Sequence, residues 1–217
     1  EIGVSDISYE VGFEDRAAFS KAFKKKYGVS PSEFRTSSGS MLEKAQESFL
    51  KEVGEDREVL SFEIEILPDF EYIFLEHRGD YDDFSSLEKA GNQIYNYLND
   101  RGILSDRSIF MTEIVDDSEI SDRIHLRYNV GFILESPLSL ELTELIRKKV
   151  HKHQKYAKFI HEGTHQSCYE FYEKIYAFWM LDVGLELQDL PTLEMYPNLE
   201  EAILPEKILT EIYIPVL

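Results

Sequence analysis

Hydrophobic and polar positions alternate over Phe62–Leu67 (FEIEIL), the period of a strand with one face in solvent. Pro68-Asp69 breaks the pattern, and Tyr72–His77 (YIFLEH) reads as a second strand that Gly79 ends. Over Tyr81–Asp100 the period changes. Phe84, Leu87, Gly91, Ile94, Tyr95 and Leu98 fall on one helical face, and Gly102 stops the helix. Ile109–Val115 and Ile124–Leu134 return to strand-like patterning. The succession then repeats: strands Ile146–His151 and Tyr156–His161, a helix Ser167–Leu181, a stop at Gly184, and strands Thr192–Tyr196 and Ile208–Leu217. The pattern predicts eight strands and two helices, with the helices grouped on one side of an antiparallel sheet.

The succession is a duplication. Phe62–Gly79 aligns with Ile146–Gly163 without a gap at an offset of 84, so that Tyr72/Tyr156, His77/His161 and Gly79/Gly163 coincide. The same offset pairs Ile124, Leu126, Tyr128 and Val130 with Ile208, Thr210, Ile212 and Ile214. A long unit present twice is not a solenoid, whose periods are ~20–50 residues in three or more copies. It predicts two half-domains, about 60–135 and 144–217, sharing one core, with the natural cavity on the pseudo-twofold axis between them. The fold class is α+β.

Before the repeats, the apolar spacing is helical. Ser5–Val11 carries Ile7 and Val11 with Ser5 as N-cap, Gly12 turns the chain, and Asp15 caps Arg16–Tyr27. The apolar face of that second helix is Ala18, Phe19, Ala22, Phe23 and Tyr27. Gly28-Val29-Ser30-Pro31 ends it, and Ser30–Arg35 forms one more short turn. Two short helices around a glycine turn make a helix-turn-helix or a plain helical hairpin. Thr36–Ser40 (TSSGS) is a break. Met41–Asp56 reads as a linker helix with Leu42, Ala45, Phe49 and Val53 on one stripe, a spacer or a lever between the parts.

Charge sharpens this division. Acidic and basic residues cancel over residues 1–36, so the rest of the chain carries the whole net charge of -19. That part repels nucleic acid and attracts cations, whereas Lys21, Lys24, Lys25 and Lys26 cluster on the N-terminal helix. A single cysteine, Cys168, excludes an internal disulfide. No apolar run approaches the ~18 residues of a membrane span, and no signal peptide is visible, which points to the cytoplasm and to no membrane partner. Glu1 is not a natural start, as in a fragment. No phosphate loop, zinc spacing or serine nucleophile motif is present, so no cofactor or metal is expected.

Two stretches resemble known families. ISYEVGF, FSKAFKKKYGVSPSEFR and the spacing between them resemble the second helix-turn-helix of AraC-type transcription regulators, through Gly12-Phe13, Phe19-Ser20, Phe23-Lys24, Gly28-Val29-Ser30-Pro31 and Arg35. The family carries two such motifs and only the second is present, so residues 1–36 read as an incomplete DNA-binding unit. The resemblance implies base-edge contacts from Arg16, Ala17, Ser20 and Lys21 and phosphate contacts from Lys24, Lys25 and Arg35. YAKFIHEG, YEFYEKIYAFWMLDVGLELQDLPTLEMYPN and KILTEIYIPVL resemble the GyrI-like effector-binding domain over about residues 60–217, with 37–59 as linker. Such domains follow AraC-type or MerR-type DNA-binding parts in bacterial regulators, including multidrug sensors, and also occur alone. The lysine-rich strand Arg147–Lys155 departs from the family wording.

Glu194 is the leading candidate for chemistry. Alternation puts it with Tyr196 on one face of its strand, and the offset of 84 makes Phe110 its counterpart. A carboxylate facing an aromatic would break the symmetry where a ligand sits. Taken alone, the pattern favours a surface carboxylate on an edge strand. The resemblance places the pocket glutamate at this position and turns the reading. An unpartnered buried carboxylate favours a cationic ligand, and Trp179, Tyr176, Tyr172, Tyr196 and Tyr213 are candidate aromatic walls, or core. The matching His77 and His161 read as structural. His151, Lys152 and His153 read as solvated. The chain as a whole reads as a ligand-responsive transcription regulator whose partners are DNA and a small, cationic aromatic molecule, and not as an enzyme. Alternatives are a hydrolase of electrophilic compounds using Glu194 as general base, or a module that sequesters another protein.

Overall fold

The computed structural model describes residues 2–27, 29–36, 60–81, 83–116, 126–135, 142–182, 185–198 and 204–217, and all side chains among them except those of 26, 27, 84 and 177–182. The expected turn glycine Gly28, the linker helix Met41–Asp56, the start of the strand Ile124–Leu134, the stop at Gly184 and the Trp179 side chain lie outside these.

The N-terminal part holds α1 (Val4–Glu10), α2 (Arg16–Tyr27) and α3 (Pro31–Thr36). The cap of α1 is Gly3 and not Ser5, whose carbonyl accepts from Ser8 Oγ at 2.6 Å inside the helix. Asp15 starts α2 as expected: its Oδ1 accepts the backbone N–H of Ala17 and Ala18 at 2.7 and 2.8 Å. Ser30 and Glu33 bond each other reciprocally across the first turn of α3, at 2.9 and 3.2 Å. Phe13, Phe19, Phe23 and Phe34 form a chain of edge-on and tilted ring contacts with centroids 5.5–5.7 Å apart, and Phe19 is buried. Gly12, at φ 87, makes the turn between α1 and α2.

The remaining elements are β1 (Glu63–Leu67), β2 (Phe70–Arg78), α4 (Phe84–Asn99), β3 (Ile109–Ile114), β4 (Arg127–Ile133), β5 (Ile146–His151), β6 (Gln154–Glu162), α5 (His165–Asp182), β7 (Thr192–Met195) and β8 (Leu209–Pro215). All eight strands form one antiparallel sheet in the order β1-β6-β8-β7-β3-β4-β2-β5. Read from either end, the order is the same after exchange of the repeats, which places a pseudo-twofold axis between β3 and β7. Each repeat gives its first strand to the other: β1 pairs with β6, and β5 with β2.

This exchange forces the sheet to curl. β1 and β2 stand six strand spacings apart, about 29 Å in a flat sheet. Only Pro68 and Asp69 join them, a link that reaches about 11 Å at most. Lys152-His153 joins β5 to β6 in the same way, and the two links meet: Asp69 pairs with Lys152 at 2.9 Å and accepts the His153 N–H at 2.7 Å. On the outer face α4 covers Ile73, Leu75, Val130 and Phe132, and α5 covers Ala157, Phe159, Ile212 and Ile214. The inner face is closed by the curl, not by a helix. Leu67, Tyr72, Phe74, Met111, Tyr156, Leu193, Met195 and Tyr213 pack there, all buried.

The inner face also holds an unforeseen polar cluster. Glu113 is 1% exposed, and its carboxylate accepts from Lys149 Nζ and Asn129 Nδ2. His151 Nε2 stands 3.5 Å away, its ring stacked on Phe70 at 4.7 Å. His151 is therefore a half-buried part of the core and not the solvated residue expected, whereas Lys152 and His153 are exposed.

His77 and His161 tie strands to helices in the same way in both halves, with Nε2 3.0 Å from Ser86 Oγ and 3.1 Å from Ser167 Oγ. Burial lowers the pKa of His77, His151 and His161 below the ordinary 6.5. Their neutral forms are the folded forms, so the stability they contribute is complete above pH 6.5 and is lost as pH falls below it. The thermal midpoint at pH 5.5 is expected below that at pH 7.5 at constant ionic strength. Equal midpoints would contradict these assignments.

Candidate functional site

The register of the sheet sets the site. Tyr72 pairs with Ile133, and its counterpart Tyr156 pairs with Pro215, two residues short of the position that a constant offset of 84 requires. Three residues drop out after Gly163, where Thr164 caps α5 at once whereas Gly79 is followed by a longer turn to the cap Asp83, and one is regained before β7. β3 and β7 inherit the net shift. The counterpart of Glu194 is therefore Thr112 and not Phe110, and these two residues pair directly on the axis. Met111 opposite Met195 and Glu113 opposite Leu193 flank them symmetrically.

Thr112 and Glu194 point to the outer face, between the two helices. The Glu194 carboxylate is half-buried and takes three hydroxyl donors. Tyr172 of α5 donates to Oε1 at 2.9 Å, and Thr112 and Tyr196 donate to Oε2 at 2.9 and 2.6 Å. Burial, then the neighbouring Glu194 charge, pushes the Tyr172 and Tyr196 phenols well above their ordinary range, so both keep the protons they donate. The carboxylate is not the partnerless group the sequence implied. Among the described residues no basic side chain forms an ion pair with it.

The walls are aromatic. The Phe110 ring lies 5.7 Å from Tyr196 and 5.2 Å from Phe132. Tyr176, 48% exposed, stacks on Tyr172 at 6.1 Å, and His165 meets Tyr196 edge-on at 6.2 Å. The α5 start that positions Tyr172 is fixed by the Thr164 cap and by the His161–Ser167 contact. Gly163 permits that approach, since a side chain there would meet Ser167 Oγ at 2.5 Å.

Of the expected site residues, Glu194, Tyr172, Tyr176, Tyr196 and Phe110 come together. Tyr213 does not. It faces the inner side of the curl, bonds Glu211 at 3.0 Å and lies under Lys158, because its neighbour Ile212 is the residue that shares the outer face with Glu194. Thr112 was missed; only the two-residue shift identifies it. Arg16, Ala17, Lys21, Lys24, Lys25 and Arg35 are exposed on α2 and α3, and Ser20 is half-buried. Arg35 also borders an apolar groove lined by Val4, Ile7, Phe19, Phe23 and Phe34. No group of His, Cys, Asp and Glu among the described residues could hold a metal, and no described helix is long and apolar enough to cross a membrane.

Comparison with known proteins agrees with this architecture. The model of the helix-turn-helix domain matches residues 2–37, and that of the GyrI-like small molecule binding domain matches residues 60–217. EcmrR in its complex with DNA superposes at a TM-score of 0.63 and 18% identity, over 85% of this chain and 68% of that one. The EcmrR C-terminal domain gives 0.59 and 17%, over 73% and 98%. SAV2435 bound to tetraphenylphosphonium gives 0.52 and 12%, over 73% and 94%. At these identities the likeness is one of fold. No curated protein matches the chain. A helix-turn-helix joined to a small-molecule-binding domain is the make-up of a ligand-responsive transcription regulator. With one family model spanning most of its length, the chain belongs to the GyrI-like small-molecule-binding family, here behind an AraC-type helix-turn-helix.

Proposed function

We propose that the outer-face site around Glu194 binds an aromatic cation and that occupancy alters DNA binding by the α1–α3 unit. The observation that carries this reading is a half-buried carboxylate, ordered by three hydroxyls and without a basic partner among the described residues, set against Phe110, Tyr172 and Tyr196 on the pseudo-axis. A cation supplies the missing charge, and each ring face adds ~0.5–2 kcal/mol of cation–π attraction. The tetraphenylphosphonium held by SAV2435, a protein of like fold, is a cation of this class.

Binding is favoured over catalysis by the same hydrogen bonds. A general base needs a free lone pair within reach of the proton it removes. Here Tyr172, Thr112 and Tyr196 take three of the roughly four acceptor sites of the carboxylate, which leaves one on Oε1 and restricts the direction from which a proton could be removed. On the DNA side, Arg16, Ala17, Ser20 and Lys21 would meet base edges, and Lys24, Lys25 and Arg35 phosphates. With one such unit, this chain is expected to bind DNA weakly and with strong salt dependence.

The test is calorimetric titration with tetraphenylphosphonium and with neutral triphenylphosphine oxide, followed by DNA retention with and without the cation. Saturable binding of the cation alone, with a changed DNA affinity, supports the reading. A preference for the neutral compound, or consumption of either compound, would refute it.

A further inference from the structure

The two helices break the pseudo-symmetry beside the site. Asp83 and Thr164 cap α4 and α5, and Ser86 and Ser167 hold the equivalent histidines. Gly91 and Tyr172 stand equally far past these caps. The helix that donates to Glu194 thus carries a tyrosine where the other carries no side chain. A glycine inside a helix destabilises it relative to alanine, so Gly91 calls for a reason. Close packing is not that reason. A methyl at position 91 would lie 3.4 Å from Phe110 Cζ, 3.7 Å from Cε2 and 3.9 Å from Val130 Cγ1, all ordinary contacts. What Gly91 leaves is room beside the Phe110 ring, which Phe132 and Tyr196 hold on its other sides.

We propose that Gly91 sets the size of ligand that the site accepts, by letting the Phe110 ring withdraw toward α4. The inference rests on the reading of the Glu194 site as a pocket for aromatic cations. A ligand ring seated against Glu194 and Tyr196 meets Phe110 next. A slim ligand leaves that ring in place. A wide one must displace it, and the space over Gly91 is where it goes. A methyl at 91 fills that space without disturbing the resting structure.

The experiment is calorimetry on the full chain with tetraphenylphosphonium as the wide probe and phenyltrimethylammonium as the slim one. Gly91→Ala is expected to lower the affinity ratio of wide to slim by about tenfold or more, with a thermal midpoint no lower than wild type. Adding Phe110→Ala to Gly91→Ala is expected to restore the wide probe. A ratio within about twofold of wild type, or no recovery in the double variant, overturns the proposal. Glu194→Gln separates the two failures. If wild type binds neither probe, or Glu194→Gln binds both equally well, the cation-site reading fails and this inference with it. If binding depends on Glu194 and the ratio ignores position 91, only the size role fails.

Discussion

Glu194→Gln is expected to weaken binding of tetraphenylphosphonium by about 10- to 100-fold, corresponding to roughly 1.4–2.8 kcal/mol. A neutral aromatic of similar size should change by less than about threefold. The substitution keeps the shape of the side chain and removes its charge. It also keeps most of the hydrogen bonding. The amide oxygen accepts two hydroxyls, and the amide N–H₂ can donate to the third, since a tyrosine or threonine hydroxyl both gives and takes. The fold around Thr112, Tyr172 and Tyr196 therefore stays in place, and the loss reports charge. Because Glu194 is half-buried, the difference between wild type and variant should persist at 0.5 M salt with only partial attenuation. Equal losses for the charged and the neutral compound would sink the electrostatic account and make Glu194 a packing residue.

How far the sequence foretold this site depends on which kind of signal was read. The strands followed from alternation, which is local: Phe62–Leu67 and Thr192–Tyr196 announce their faces without a partner. Alternation also put Glu194 and Tyr196 together. Register is not local. The repeats do not say whether β1 pairs within its own half, and the exchange of β1 and β5 was invisible although the break at Pro68-Asp69 was plain. The offset of 84 is strict up to Gly163, and nothing in the apolar pattern marks where three residues drop out before α5 and one returns before β7. Carried further, it matched Glu194 to Phe110 and passed over Thr112. Tyr213 was misplaced for a related reason. Its parity in β8 is legible, but which parity shares a face with Glu194 is decided only by the pairing of Ile212 with Glu194. The Glu113 cluster had no local signal either. Lys149 and His151 read as a charged surface strand because the curl that encloses them comes from topology.

That enclosure gives the largest stability effect expected in the molecule. Lys149→Ala removes the only cation that touches Glu113 among the described residues, apart from the titratable His151. Glu113 is 1% exposed and keeps Asn129 as a donor, but its charge is left uncompensated. Breaking a buried pair from one side costs about 3–5 kcal/mol, and the low end applies because the Lys149 side chain is 34% exposed. About 3 kcal/mol corresponds to a thermal midpoint lower by about 6–12 °C for a domain of this size. The pH dependence tests the cause. In wild type, Lys149 helps hold the His151 pKa below 6.5, and Glu113 opposes it. With Lys149 gone, protonation of His151 beside Glu113 is easier and restores part of the lost pairing. The deficit of Lys149→Ala relative to wild type should therefore narrow between pH 7.5 and 5.5, while wild type itself loses stability over that range. A double variant, Glu113→Gln with Lys149→Met, should recover most of the loss, since no unpaired charge remains inside the curl. A single variant as stable as wild type would mean that water reaches Glu113, and that the inner face is more open than the packing of Tyr72, Phe74 and Met111 around it allows.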